Sequence, residues 1–138
     1  NRNLKYNLSD LIDRLSIDQI KQIQIESSSK EYEKSISKIM KSIDVDLNIN
    51  KIKLTDEIIN ILIALSQVNL HIWFLRKQIS NIKSSDSKKI KLSHQLNAIR
   101  NQLKNQLYKK INYKNKTEKK TNIDREDLAG WNLSILYE

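Results

Sequence analysis

Along most of the chain apolar residues recur at steps of three and four, the spacing that lines one face of an α-helix. The first stripe, Leu8, Leu11, Ile12 and Leu15, drifts to Ile20 and Ile23 before Ser27-Ser28-Ser29 interrupts it. Ser9 is placed as an N-cap, and Asp10 and Asp13 suit the positive end of a helix. Tyr32, Ile36, Ile39, Met40 and Ile43 form a second stripe, so helices are predicted over 9–27 and 30–43. From Asp44 to Lys53 the pattern changes: Val45, Leu47, Ile49 and Ile52 alternate with polar residues. A period near two suits a strand, but no partner strand is evident elsewhere, and an extended connector is predicted.

Thr55 then has the features of an N-cap, with Asp56 and Glu57 behind it and Leu54 placed to staple against Ile59. The helical pattern continues to about Ile82. Ile58–Leu75 carries no charge, yet Asn60, Ser66, Gln67, Asn69 and His71 interrupt it, which fits the central helix of a bundle better than a membrane span. Ser84-Ser85-Asp86-Ser87 is short enough to make its flanking helices antiparallel neighbours. Leu92, Leu96, Ile99, Leu103, Leu107 and Ile111 mark the next helix. Residues 112–127 read as a basic loop, and the apolar segment 128–138 is expected to dock on the bundle or on another chain. The predicted fold is a single all-α domain, an antiparallel bundle of three to four helices with a long central hairpin.

Composition narrows the alternatives. One Gly, no Pro and no Cys in 138 residues argue against sandwiches, barrels and Gly-loop nucleotide folds, and exclude disulfides and thiolate-bound zinc. The start, Asn-Arg-Asn-Leu-Lys-Tyr, has no apolar signal region, and a cytoplasmic location is expected. The formal charge of +9 is local: Lys83 to Lys120 holds twelve basic residues against Asp86 and Glu118. A phosphate-binding face there would use Lys88, Lys89, Lys91, Lys104, Lys109, Lys110 and Lys114, continuing to Lys116, Lys119 and Lys120, with Tyr108 and Tyr113 as stacking rings. The plainer reading is a solvated lysine face in an Ile-, Lys- and Asn-rich sequence, with weak and unselective binding at most.

Catalytic signals are few. There is no phosphate loop, HExxH or nucleophile elbow, and His71 and His94 lack a third metal ligand, so neither metal nor cofactor is expected. Asp10 and Asp13 could begin a carboxylate cage, but the long helix offers only Asp56 and Glu57 at its start. Asp10, Arg14 and Asp18 instead read as an exposed ion-pair ladder. Folding the hairpin about residues 85–86 brings Asn69, His71 and Trp73 level with Asn97, Arg100 and Asn101. These residues read either as a buried polar network that fixes helix register, the favoured reading, or as a site where Arg100 holds an anion against Trp73.

Three blocks, Asp10 to Lys21, Asn69-Leu-His-Ile-Trp73, and Leu96 to Leu103, resemble a family of small helical bacterial and phage proteins of unknown function, some encoded near surface-polysaccharide genes. The resemblance implies a compact helical unit and marks Asp13, Asn69, Trp73, Asn97 and Arg100. Acidic residues tend to follow the Trp in that family, where this chain has Phe74-Leu75-Arg76-Lys77. The expectation drawn from the whole sequence is a non-catalytic helical interaction module that forms a dimer. A nucleic-acid binder and a small-ligand or enzymatic domain are the alternatives.

Overall fold

The computed structural model describes residues 7–80, 87–111 and 128–137. They form four long helices and no strand: α1 (Leu8–Gln24), α2 (Ser29–Ile49), α3 (Asp56–Ser80) and α4 (Ser87–Lys110), followed by a short 3-10 turn at Ser134–Tyr137. α3 packs chiefly on α4 and α1 on α2, while α1 also touches both members of the α3–α4 hairpin. Lys110, in the last turn of α4, pairs with Glu57 in the first turn of α3, as antiparallel neighbours must. Asp10 meets Lys104 while Asp13 meets Arg100, so α1 runs against α4 and along α3.

The α3–α4 contact is a narrow seam. On α3 it uses Ile58, Ile61, Leu65, Val68, Ile72 and Leu75, which alternate steps of three and four as in a coiled coil. Leu96, Ile99, Leu103 and Leu107 answer from α4, and Leu8 closes one end. The C-terminal segment docks on this chain's own bundle: Leu128 and Leu136 join the core, and the Leu136 carbonyl accepts from Gln102 Nε2 at 3.3 Å and Gln106 Nε2 at 2.6 Å. Gly130, at φ 89°, makes the turn that leads into it.

Several expected boundaries move. The cap of α1 is Asn7, whose side chain accepts from the Asp10 amide at 3.0 Å; Ser9, expected to cap, lies inside the helix and donates its hydroxyl to Asn7 at 2.6 Å. The stretch expected to be an extended connector from Asp44 is helical as far as Ile49. With no strand beside it, an extended segment would leave its amides and carbonyls unpaired, whereas continuing α2 satisfies them internally. α2 then stops in a helix-ending turn: Lys51 takes a left-handed φ of 49°, and the Ile52 amide reaches back to the Leu47 carbonyl at 3.1 Å. Thr55 accepts from the Ile58 amide at 3.2 Å as expected, and Leu54, expected to staple against Ile59, is exposed and borders a groove beside Ile58. The expected loop at 112–127 lies outside the described residues.

Leu65 has no exposed surface, whereas Ile63 on the same helix is 54% exposed. Leu65→Ala is expected to destabilise the fold by about 2–5 kcal/mol through lost burial and a cavity. Ile63→Ala should cost less than about 1 kcal/mol. Urea unfolding of the two variants tests which face of α3 points inward, and equal losses would contradict the seam.

Candidate functional site

Helix α1 carries a carboxylate, Asp13, into the interior, where the residue is only 1% exposed. An ionised carboxylate there needs donors from its surroundings, and two helices supply them. From α4, Arg100 grips it in a fork: Nε donates to Oδ1 at 3.0 Å and to Oδ2 at 3.2 Å, and Nη2 donates to Oδ2 at 2.5 Å. From α3, Asn69 Nδ2 donates to Asp13 Oδ1 at 3.0 Å and to Ser16 Oγ at 3.3 Å. One turn along α4, Lys104 Nζ lies 3.6 Å from Asp13 Oδ2 and 2.7 Å from Asp10 Oδ1. Two carboxylates and two cations thus form a neutral cluster between three helices.

Burial by itself raises the pKa of Asp13. Hydrogen bonds from Arg100 and Asn69, with the charges of Arg100 and Lys104, outweigh it and hold the carboxyl below the ordinary aspartate range. The acid remains ionised at neutral pH, so it is not a proton donor in waiting.

Beside the cluster opens a cavity of about 370 Å³, between α1, α3 and α4, into whose wall Asn69, Trp73 and Arg100 contribute. Lys21, Arg76 and Lys77 also line it, and its apolar part comes from Ile17, Ile20 and Ile72. Among the described residues no acid lines it. Trp73 is half-buried; its Nε1–H is fully covered and has no acceptor among the described residues.

The other residues expected at this height go elsewhere. His71 is exposed and meets the Trp131 ring edge-on, with centroids 5.2 Å apart, so it faces the C-terminal segment. Asn97 donates to the Ser93 carbonyl of its own helix at 3.1 Å. Asn101 is half-buried on α4 and does not line the cavity. Two members of the expected exposed ladder make contacts with other helices: Asp10 pairs with Lys104, and Asp18 accepts from the Ser35 hydroxyl of α2 at 2.6 Å. Among the described residues no group of His, Asp or Glu is arranged to hold a metal.

On the basic face, Lys104 is buried in the ion cluster, where a phosphate cannot reach it, and Lys110 is paired with Glu57. Tyr108, expected as a stacking ring, is buried. Lys88, Lys89, Lys91 and Lys109 lie on α4, whereas Tyr113, Lys114, Lys116, Lys119 and Lys120 fall outside the described residues. The parts missed from sequence were Lys104, Ser16 and the cations Lys21, Arg76 and Lys77. A signal for the first existed: acids three apart on α1 match cations four apart on a helix running the opposite way.

No family model, curated protein or solved structure matches the chain, and the site's chemistry rests on its own geometry.

The cluster makes a prediction about acid stability. Because the folded pKa of Asp13 lies below its unfolded value, its contribution is fully present above about pH 4 and is lost as the pH falls through the folded value. Asp13→Asn keeps the shape but leaves Arg100 and Lys104 facing a neutral amide, and should cost about 3 kcal/mol at pH 7. It should also flatten the decline in stability below about pH 4. Denaturation midpoints from pH 7 downward measure both, and parallel curves for the two proteins would contradict the assignment.

Proposed function

We propose that this chain is a non-catalytic helical assembly module that pairs with a second copy of itself across the outer face of α3. The observation that carries the reading is a second apolar line on α3, turned away from the core. Ile59, Ile63, Leu70 and Phe74 are all exposed, and they are placed symmetrically about the Ser66–Gln67 peptide. A two-fold axis at that peptide sets Ile59 against Phe74 of the partner subunit and Ile63 against its Leu70. Self-complementarity of this kind is what an isologous interface requires.

The neighbouring surface supports the same reading. Between α1 and α3 runs a groove of about 480 Å³ lined by Ile20, Ile23, Leu62 and Gln67 among others, with no charged residue among the described ones. In a chain that is 30% charged, such a surface has the composition of an interface core. α3 is about 37 Å long, and with α1 beside it the face is about 20 Å wide. That is on the order of 700 Å², close to the roughly 800 Å² per partner of a standard stable interface. The docked C-terminal segment borders this face, where Ile63 and Gln67 share a cavity with Trp131 and Leu133, and leaves Ile63 exposed.

By length and composition α3 could cross a membrane, with 39% of its most apolar window buried in the fold. Its polar positions and the ion cluster against it favour a protein partner over lipid: Asn69 is tied to an ionised Asp13, and charge in hydrocarbon is costly.

Sedimentation at tens of micromolar, on the order of a weak dimer's dissociation constant, should give a dimer. Ile63→Lys with Leu70→Lys should give a monomer of unchanged helicity. The chain has no native cysteine, so Ser66→Cys should yield a single crosslinked dimer on oxidation. A monomeric wild type, or a dimer that survives both lysines, would overturn the proposal.

A further inference from the structure

The cavity beside the ion cluster is lined by cations and apolar side chains together. We infer that it is a binding site for a small organic phosphate, with the phosphoryl group among Lys21, Arg76 and Lys77 and an apolar or aromatic body against Ile20, Ile72 and Trp73. The cavity adjoins the proposed dimer groove and shares Ile20 with it, but Lys21, Trp73, Arg76 and Lys77 lie outside that groove, so ligand binding is read separately from association.

The charge balance of the wall identifies the ligand's sign. Arg100 is neutralised by Asp13, whereas no carboxylate among the described residues pairs with Lys21, Arg76 or Lys77. Two of the three are held over rings instead: Lys77 Nζ is 5.4 Å from the Trp73 centroid, and Lys21 Nζ is 5.7 Å from that of Tyr32. A cation over a ring keeps its hydrogen-bond donors available and its chain partly ordered, which lowers the entropy lost when an anion arrives. Among the described residues, three cations that no carboxylate pairs surround one concavity whose wall carries no acid, which suits a doubly charged head better than a single carboxylate.

The rest of the wall identifies the body. Ile17, Ile20 and Ile72 give the ligand no hydrogen bonds, so that part of it must be apolar. Trp73 adds a flat wall and a buried Nε1–H lacking an acceptor among the described residues. An unmet buried donor is costly, and a small rotation of the indole toward a ligand oxygen would satisfy it. The volume of about 370 Å³ is that of a compact ligand rather than a polymer segment.

Phenyl phosphate is a suitable probe, with inorganic phosphate, benzoate and benzyl alcohol as controls. Titration followed by ¹⁵N NMR reads the Trp73 indole N–H directly, assigned with a Trp131→Phe chain. Phenyl phosphate should shift that resonance saturably with Kd below about 1 mM. Inorganic phosphate and benzoate should each bind at least about tenfold more weakly, and benzyl alcohol should not saturate. Arg76 and Lys77 are exposed, so Arg76→Gln with Lys77→Gln should fold normally and weaken phenyl phosphate by about tenfold or more. The inference is overturned if phenyl phosphate leaves the Trp73 resonance unmoved, if the folded double variant binds it equally well, or if either anionic control binds as tightly.

Discussion

A carboxylate in the middle of an apolar bundle must be answered from its surroundings, and the arrangement of the helices follows from how Asp13 is answered. Its oxygens take donors from Asn69 on α3 and Arg100 on α4, and Lys104 lies one turn away. Apolar seams tolerate small slides of one helix along another, because one leucine can replace its neighbour at modest cost. The ion cluster does not. Sliding α1 by one turn, about 5.4 Å, would break this double match: either Asp13 is set against Lys104 and Arg100 loses its carboxylate, or Asp10 is set against Arg100 and Lys104 loses its own. Replacing such a cluster by apolar residues of the same volume could leave the bundle equally stable, so its structural contribution lies in fixing which residues stand opposite one another.

The same logic explains what could be read from the sequence. The stripes on α1, α3 and α4 gave the helices, because burying one face of a helix demands that periodicity. The shared height of Asn69, Trp73 and Arg100 follows from folding one hairpin, a local operation with a short turn, and these three do share a cavity wall. Contacts made by α1 were out of reach, since nothing local sets its register against the hairpin; thus Asp10, Arg14 and Asp18 looked like an exposed ladder while Asp10 and Asp13 turn inward. Residues 44–49, expected as an extended connector because Val45, Leu47 and Ile49 alternate with polar residues, continue α2 instead: all three stay exposed, so the alternation carries no packing constraint, while the helix pairs the backbone internally. His71 was misplaced because height along a helix does not specify angle: at about 100° per residue it points well away from Asn69.

Angle around α3 accounts for its unusual composition. Measured around the helix at about 100° per residue, the α4 seam occupies one quarter, and Asn69, Leu62 and Trp73 turn toward α1 about a quarter-turn on. On the far side of the seam, Asn60, Ala64 and His71 border the cavity shared with the C-terminal segment. The remaining quarter, opposite the seam, carries Ile59, Ile63, Leu70 and Phe74. An ordinary bundle helix is apolar toward one or two neighbours and charged toward water; α3 has neighbours on three sides and remains uncharged on the fourth. Its lack of charge from Ile58 to Leu75 is therefore explained by contacts within the chain for three quarters of its surface, and on the fourth the described residues supply no such reason. Charge reappears at Arg76 and Lys77, where α3 borders the cation-lined cavity. The helix thus divides its work by sector and by height, with the core along one line, an open apolar face along the opposite line, and an anion-suited wall where the uncharged run ends.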